Sequence, residues 1–134
     1  MRYDRTVHLD TDFATSVART RDALAAQGFG ILTEIDVTAT LKAKLDQDME
    51  DYVILGACNP ALAHRALEID RTIGLLLPCN VVVRRDGDRT AVQALEPNTM
   101  NALTELDALR PVAEEATRRL DAALASLKSV DKKG

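Results

Sequence analysis

The apolar positions near the N-terminus follow first the two-residue period of a strand and then the longer period of a helix. A strand is predicted at residues 3–9. Thr11 or Asp12 is placed to cap the helix that follows, and Gly28 suits the turn that ends it. The pattern therefore opens with a strand and a long amphipathic helix.

The segment after Gly28 returns to a period of two, which predicts a second, half-buried strand. Glu34 and Asp36 share its polar face, and a solvated surface is favoured over paired-carboxylate chemistry. Its apolar face is predicted to carry Phe29, Ile31, Ile35 and Val37.

The middle of the chain predicts a buried strand between two short helices. Residues 38–45 form the first helix, and an acidic connection leads to the nearly continuous apolar run at 52–58. Asn59 then supplies an N-cap and Pro60 a first-turn proline for a second helix that ends near Ile69.

Two further strands and a long helix are predicted in the C-terminal half. Residues 75–85 and 89–95 are extended runs, and Asp86-Gly87 between them is typical of a two-residue hairpin turn. That turn pairs Arg85 with Asp88, and Arg84 with Arg89. Residues 104–127 are predicted to be mostly helical, with Pro111 at the helix start or at a kink.

This order of elements is typical of an α+β domain. A strand, a helix, four strands and a final helix, with two short helices inserted around the third strand, favour a mostly antiparallel sheet covered on one face by the long helices. A single domain is predicted over residues 1–127, followed by a polar tail at 128–134.

Composition narrows the classes of partner. The chain has 134 residues and a formal net charge of −4. This negative charge disfavours nonspecific electrostatic binding to nucleic acid or to an anionic membrane. The N-terminal segment lacks the apolar core of a secretory signal, and no apolar run is long enough to span a membrane. Two cysteines without such a signal favour the cytoplasm and free thiols.

Two short segments carry a resemblance to a known family. The runs YVILGACNP at 52–60 and GLLLPCNVVV at 74–83, with Pro97 after the last strand, resemble the family of domain of unknown function 302 over residues 3–127. The resemblance implies a β-α-β4-α arrangement similar to the TATA-binding-protein-like fold. It also implies a homodimer, and it implies no activity.

Cys58 is the first candidate for chemistry, because it ends an apolar strand and directly precedes an Asn-capped helix. A sulfur turned toward the free amides of that helix favours the thiolate, which attacks a disulfide, carries sulfur or binds a soft metal. The alternative is a small buried hydrophobe in the core.

Cys79 is the second candidate sulfur, on a strand that is expected to neighbour that of Cys58. Two thiolates with His64 form a possible site for Cu(I) or Zn(II), although two ordinary buried cysteines and a solvent-facing histidine remain the simpler alternative. Pro78 next to Cys79 indicates a bulge or an edge. Two interpretations are open: residues 78–80 line the floor of a pocket, or Pro78 only holds Leu77 in an extended conformation.

The leading hypothesis is a non-enzymatic homodimer that binds a small ligand or a soft metal near two free cysteines. Its candidate ligand-binding residues are Cys58, Asn59, Cys79, Asn80 and His64, with Cys58 and Cys79 as the metal ligands; no cofactor is required by the sequence. A thiol-dependent redox enzyme or sulfur carrier that uses Cys58 is one alternative. A structural protein that acts only through dimerisation is another.

Overall fold

The computed structural model describes the backbone of residues 2–133 and the side chains of residues 2–128. Within that part of the chain, five antiparallel strands form one sheet in the order β1-β5-β4-β3-β2. The strands are β1 Asp4–Leu9, β2 Gly30–Asp36, β3 Tyr52–Cys58, β4 Cys79–Asp86 and β5 Arg89–Leu95. The helices are α1 Phe13–Ala26, α2 Val37–Leu45, α3 Pro60–Ile69, α4 Thr99–Thr104 and α5 Arg110–Lys133, with 3₁₀ turns at Arg71–Leu76 and Asp107–Leu109.

Side-chain caps fix where the first three helices begin. Asp12 accepts a hydrogen bond from the Thr15 amide at 2.7 Å, so it is Asp12 that caps α1. Asn59 caps α3 by accepting from the Leu62 amide at 3.2 Å, with Pro60 in the first turn as predicted. Each cap satisfies an amide that has no partner within its helix.

The long helices α1 and α5 cover one face of the sheet. Their apolar stripes bury a core that includes Leu55 of β3, Val83 of β4 and Leu120 of α5, all of which are fully buried. A second apolar cluster joins α3 to α4 and to the start of α5, and includes Leu62, Met100 and Val112. The predicted α+β class and β-α-β4-α order are therefore confirmed.

The predicted apolar face of β2 is wrong, because the strand contains a bulge. Pairing with β3 shifts between Ile31 and Thr33, so Ile31 lies opposite Ala57 on the helix-covered face whereas Ile35 lies opposite Ile54 on the other face. Ile35 is consequently 50% exposed. The extra residue of the bulge exchanges the two faces for every side chain that follows it along the strand. A two-residue period in the sequence does not show where such a residue is inserted.

The carboxylates of β2 have structural partners. Glu34 forms an ion pair with Arg21 of α1. Asp36 accepts a hydrogen bond from the Ala39 amide at 2.9 Å and so caps α2. Each carboxylate therefore has a structural partner on or next to the edge strand β2.

The fourth strand begins later than predicted. The expected extended run at 75–85 starts instead with the 3₁₀ turn Arg71–Leu76, and β4 begins only at Cys79. Pro78 has no amide hydrogen to donate to a strand ladder, so regular pairing starts after it. The apolar run of Leu75, Leu76 and Leu77 therefore belongs to a turn rather than to a strand.

The hairpin turn lies one residue further along the chain than predicted. Asp86 pairs with Arg89 and Arg85 with Thr90, which leaves Gly87 and Asp88 as the two turn residues. Among the described residues of the turn, only Gly87 has a positive φ, as the first position of a type II′ turn requires. The predicted pairs of Arg85 with Asp88 and of Arg84 with Arg89 are therefore wrong, and Arg84 lies opposite Ala91.

Pro111 lies at the start of α5, as predicted, but a short helix precedes it. Residues 99–104 form α4, which the pattern did not indicate. The backbone of α5 continues to Lys133, so the expected polar tail at 128–134 is helical as far as the described chain extends; Gly134 lies outside it. The limits of the predicted domain, 1–127, stay a prediction.

Candidate functional site

The two cysteines line one small cavity between the sheet and helices α3, α4 and α5. The cavity has a volume of about 30 Å³. It lies at the seam between the two apolar clusters, with Phe29 and Ala57 from one and Leu62, Met100 and Ala116 from the other. Its other lining residues are Cys58, Asn59, Ala63, Ala66, Leu77, Pro78, Cys79 and Val112.

Strand pairing brings the two sulfur-bearing residues together. Ala57 of β3 lies directly opposite Cys79 of β4, and Cys58 is the next residue along β3. The prediction that these two strands are neighbours is therefore confirmed. Both cysteines are free and only partly exposed.

Burial determines the protonation of one of the two thiols. Desolvation raises the pKa of Cys79, and the nearby Cys58 raises it further because two neighbouring thiolates repel each other. The Cys79 side chain is therefore a neutral thiol near neutral pH. A neutral thiol is a poor nucleophile, but it releases its proton when a metal ion binds to the sulfur.

Asn59 is part of the cavity wall, and its side-chain oxygen is already committed. It is 9% exposed, and Oδ1 accepts the hydrogen bond from the Leu62 amide. This bond fixes the direction in which the chain leaves Cys58 and enters α3. Asn59 thus acts as a positioning residue for Cys58.

Two predicted site residues lie elsewhere. The His64 side chain is 73% exposed, and its Nε2 lies 3.5 Å from Glu68 Oε1 on the surface of α3. Asn80 is exposed on the face of the sheet that the long helices do not cover, in a shallow groove with Tyr52, Val82 and Gln93. The described residues contain no group of three or more His, Cys, Asp or Glu side chains that could hold a metal ion. The structure therefore does not assemble the proposed set of Cys58, Cys79 and His64.

Sequence reasoning missed the opposite wall of the cavity. Val112 and Ala116 were predicted only as part of the buried stripe of the last helix, and Met100 was not assigned to any element. Met100 is 5% exposed and is therefore buried. It belongs to a helix of only six residues, which is too short to show an apolar periodicity in the sequence. Only tertiary packing shows that these residues face the cysteines.

Within the described part of the chain, no helix combines the length and the apolar character needed to cross a membrane.

The antiparallel sheet with long helices on one face places this molecule among small α+β domains, here with a sulfur-lined apolar cavity. The family model described as "Domain of unknown function DUF302" matches residues 5–127. The chain therefore belongs to the DUF302 family, as the two cysteine segments predicted. Among curated proteins, none matches it.

A solved structure supports the same assignment. The crystal structure of an uncharacterized conserved DUF302 protein from Bacillus stearothermophilus superposes with a TM-score of 0.88 at 30% sequence identity. The match covers 93% of this chain and 98% of that one. The two proteins share essentially the whole domain.

Proposed function

We propose that this chain is a binding domain whose site is the cavity between Cys58 and Cys79, and that its occupant is a small thiophilic ligand or a soft metal ion. One observation carries the proposal: the two free cysteines of the chain line the same cavity. The rest of the lining is apolar except for Asn59, whose Oδ1 already accepts from the Leu62 amide, so the two cysteines are the residues of the lining with affinity for a soft ligand.

The size of the cavity limits the occupant. A volume of about 30 Å³ exceeds the roughly 10–15 Å³ that one water molecule needs, but it is far below the roughly 300–1,000 Å³ of sites for drug-sized ligands. An ion or a group of one or two heavy atoms fits without rearrangement. The proposal therefore excludes large organic ligands from this site.

The cavity lining favours binding over catalysis. Apart from the two cysteines, none of its described residues is titratable, so no general base is present beside either thiol. Cysteine-dependent catalysis ordinarily uses such a base, typically a histidine. His64, the nearest candidate in the sequence, instead lies at the surface.

Native mass spectrometry of protein purified without oxygen tests this proposal. Ala63 lines the cavity from α3, whereas Ala61 of the same helix is exposed outside it. An adduct mass is expected on the parent chain and on Ala61→Leu, and is expected to be lost from Ala63→Leu, in which the larger side chain fills the cavity. An adduct retained by Ala63→Leu, or absent from the parent chain, would contradict the proposal.

The open face of the sheet supports a second proposal, namely a homodimer. Ile35, Ile54 and Val82 lie side by side on β2, β3 and β4, on the face opposite to α1 and α5. From strand spacing and rise, this face measures roughly 24 by 24 Å. Two copies packed face to face would therefore bury about 1,100 Å², close to the lower end of the range for stable interfaces. We propose a second copy of this chain as the partner.

Sedimentation velocity tests the dimer directly. The substitution Ile35→Glu places a charge on the open face and is expected to give a monomer, because a buried unpaired carboxylate disfavours association. Leu75→Glu is the matched control, since Leu75 is 84% exposed in the 3₁₀ turn Arg71–Leu76. A parent chain that is itself monomeric, or an Ile35→Glu dimer as stable as the control, would refute this interface.

A further inference from the structure

We infer that the cavity is a three-sulfur site for a soft monovalent metal ion of the Cu(I) class, with Met100 as the third ligand beside Cys58 and Cys79. This inference rests on the proposed function and specifies its occupant. It also replaces the predicted histidine ligand, because Met100 lines the cavity and His64 does not.

The sulfur-containing residues of the chain are concentrated at this cavity. The sequence contains two cysteines and three methionines, and three of these five residues are among the thirteen that line the cavity. They come from three separate segments, since Cys58 ends β3, Cys79 begins β4 and Met100 belongs to α4. The fold therefore gathers residues that are remote in sequence.

The ligand types select the metal. Thiolate and thioether sulfur are soft ligands that favour Cu(I), whereas Mg²⁺ and Ca²⁺ require oxygen ligands. A structural Zn²⁺ site normally uses four Cys or His ligands, and the described residues contain no group of even three that includes a His or a carboxylate. Cu(I) and its analogue Ag(I) are satisfied by two or three sulfur ligands, which matches the three available here.

The apolar walls of the cavity suit a metal ion with a low coordination number. Phe29, Leu62 and Val112 surround the sulfur-bearing residues and carry no polar side-chain atom. These three side chains offer water and hard anions no hydrogen-bonding partner, and Asn59 of the same lining already uses its Oδ1 to accept from the Leu62 amide. The small volume of the cavity further restricts the guest to one or two heavy atoms, which a single metal ion satisfies.

The binding reaction balances without any redox step. Each cysteine loses its thiol proton to solvent as its sulfur–copper bond forms, so two protons are released for each ion bound. The Met100 thioether donates a lone pair and releases no proton. Copper enters and remains as Cu(I).

Anaerobic competition with a chromophoric bicinchoninate–Cu(I) complex tests the site. The parent chain is expected to remove one Cu(I) per monomer from the complex. Cys58→Ser and Cys79→Ser are each expected to weaken binding at least 100-fold. Met100→Leu, which conserves volume but removes the thioether, is expected to weaken it about 10-fold.

Met49→Leu is the matched control, because Met49 lies in the connection between α2 and β3, outside the cavity. It is expected to bind Cu(I) like the parent chain. Equal binding by Met100→Leu and Met49→Leu would remove Met100 from the site. A parent chain that takes no Cu(I), yet carries a native adduct that Ala63→Leu lacks, would refute the metal while leaving the proposed function intact.

Discussion

The thiol of Cys79 shows how the surroundings of one residue set its chemistry. It lies where β4 begins, against apolar side chains that cannot solvate a thiolate. Burial accordingly raises its pKa, and Cys58 adds to the effect. The position of Cys79 in the fold therefore keeps its side chain a protonated thiol rather than a reactive thiolate.

The rate at which iodoacetamide alkylates Cys79 is expected to depend on pH according to this raised pKa. In Cys58→Ala the effect of burial remains, so the rate is expected to keep increasing with pH beyond the point at which an ordinary thiol has fully ionised. Mass spectrometry of the modified protein gives the rate at each pH. The same variant unfolded in denaturant gives the pH dependence of alkylation for an ordinary thiol. A pH midpoint for the folded protein at or below that of the unfolded protein would contradict the prediction.

Gly56 is required because β2 approaches β3 very closely. A Cβ atom at this position would overlap Thr33 Oγ1 and would lie 3.0 Å from Pro78 Cγ. Gly56→Ala is therefore expected to lower the free energy of unfolding by about 1–3 kcal/mol, as overpacking does. Chemical denaturation measures the change.

The double variant Gly56→Ala/Thr33→Ala separates the two contacts. Removal of the Thr33 hydroxyl is expected to restore part of the lost stability, because the contact with Pro78 remains. If the double variant were no more stable than Gly56→Ala, the clash with Thr33 would not be the cause.

Among the secondary-structure elements, those governed by local signals were predictable from the sequence. The caps at Asp12 and Asn59, the buried run of β3 and the start of α5 at Pro111 each depend on residues within one or two turns of chain. The bulge after Ile31 depends on pairing with β3, which no local pattern shows. The wall at Met100 likewise depends on tertiary packing, so the sequence indicated the cysteines but not their third neighbour.

Asn59 connects an element boundary to the site. Asn59→Ala is expected to lower the free energy of unfolding by about 1 kcal/mol, since the Leu62 amide loses its cap. Asn59→Asp keeps an acceptor at the same position and is expected to retain most of the stability. Denaturant titration of both variants checks this, and an Asn59→Ala protein as stable as the parent chain would show that the cap contributes nothing.

Helix α5 carries an acid-sensitive ion-pair cluster. Hydrogen bonds from Arg118 and Arg119 lower the pKa of Glu115 to about 2, from an ordinary value of 4.5. A carboxyl whose pKa is lower in the folded state stabilises the fold above its unfolded value and loses that contribution as the pH falls through its folded value. The contribution of Glu115 is therefore expected to decline between about pH 5 and pH 2.

Unfolding measured across this pH range compares Glu115→Gln with the parent chain. The stability difference between the two is expected to shrink as the pH falls. Glu114→Gln is the matched control, because its carboxylate forms no ion pair among the described side chains of α5. A difference for Glu115→Gln that stays constant from pH 5 to pH 2 would contradict the assignment.

At the scale of the whole molecule, the proposed binding site and the proposed dimer interface lie on different parts of the fold. One face of the sheet packs on α1 and α5 to form the main core, while α3, α4 and the start of α5 add a second apolar cluster beside it. The sulfur-lined cavity lies where these clusters meet, and the open face of the sheet lies on the opposite side of the molecule. The proposed metal site and the proposed interface therefore share no residues, and Ile35→Glu is expected to bind Cu(I) as the parent chain does.

The position of a bound soft ion tests the central claim most directly. Crystals of the reduced protein soaked in Ag(I), a redox-inert analogue of Cu(I), locate the ion by its anomalous scattering. One peak is expected inside the cavity, within bonding distance of the sulfur atoms of Cys58 and Cys79 and beside that of Met100. An empty cavity, with Ag(I) bound only at His64 or on the open face of the sheet, would contradict it.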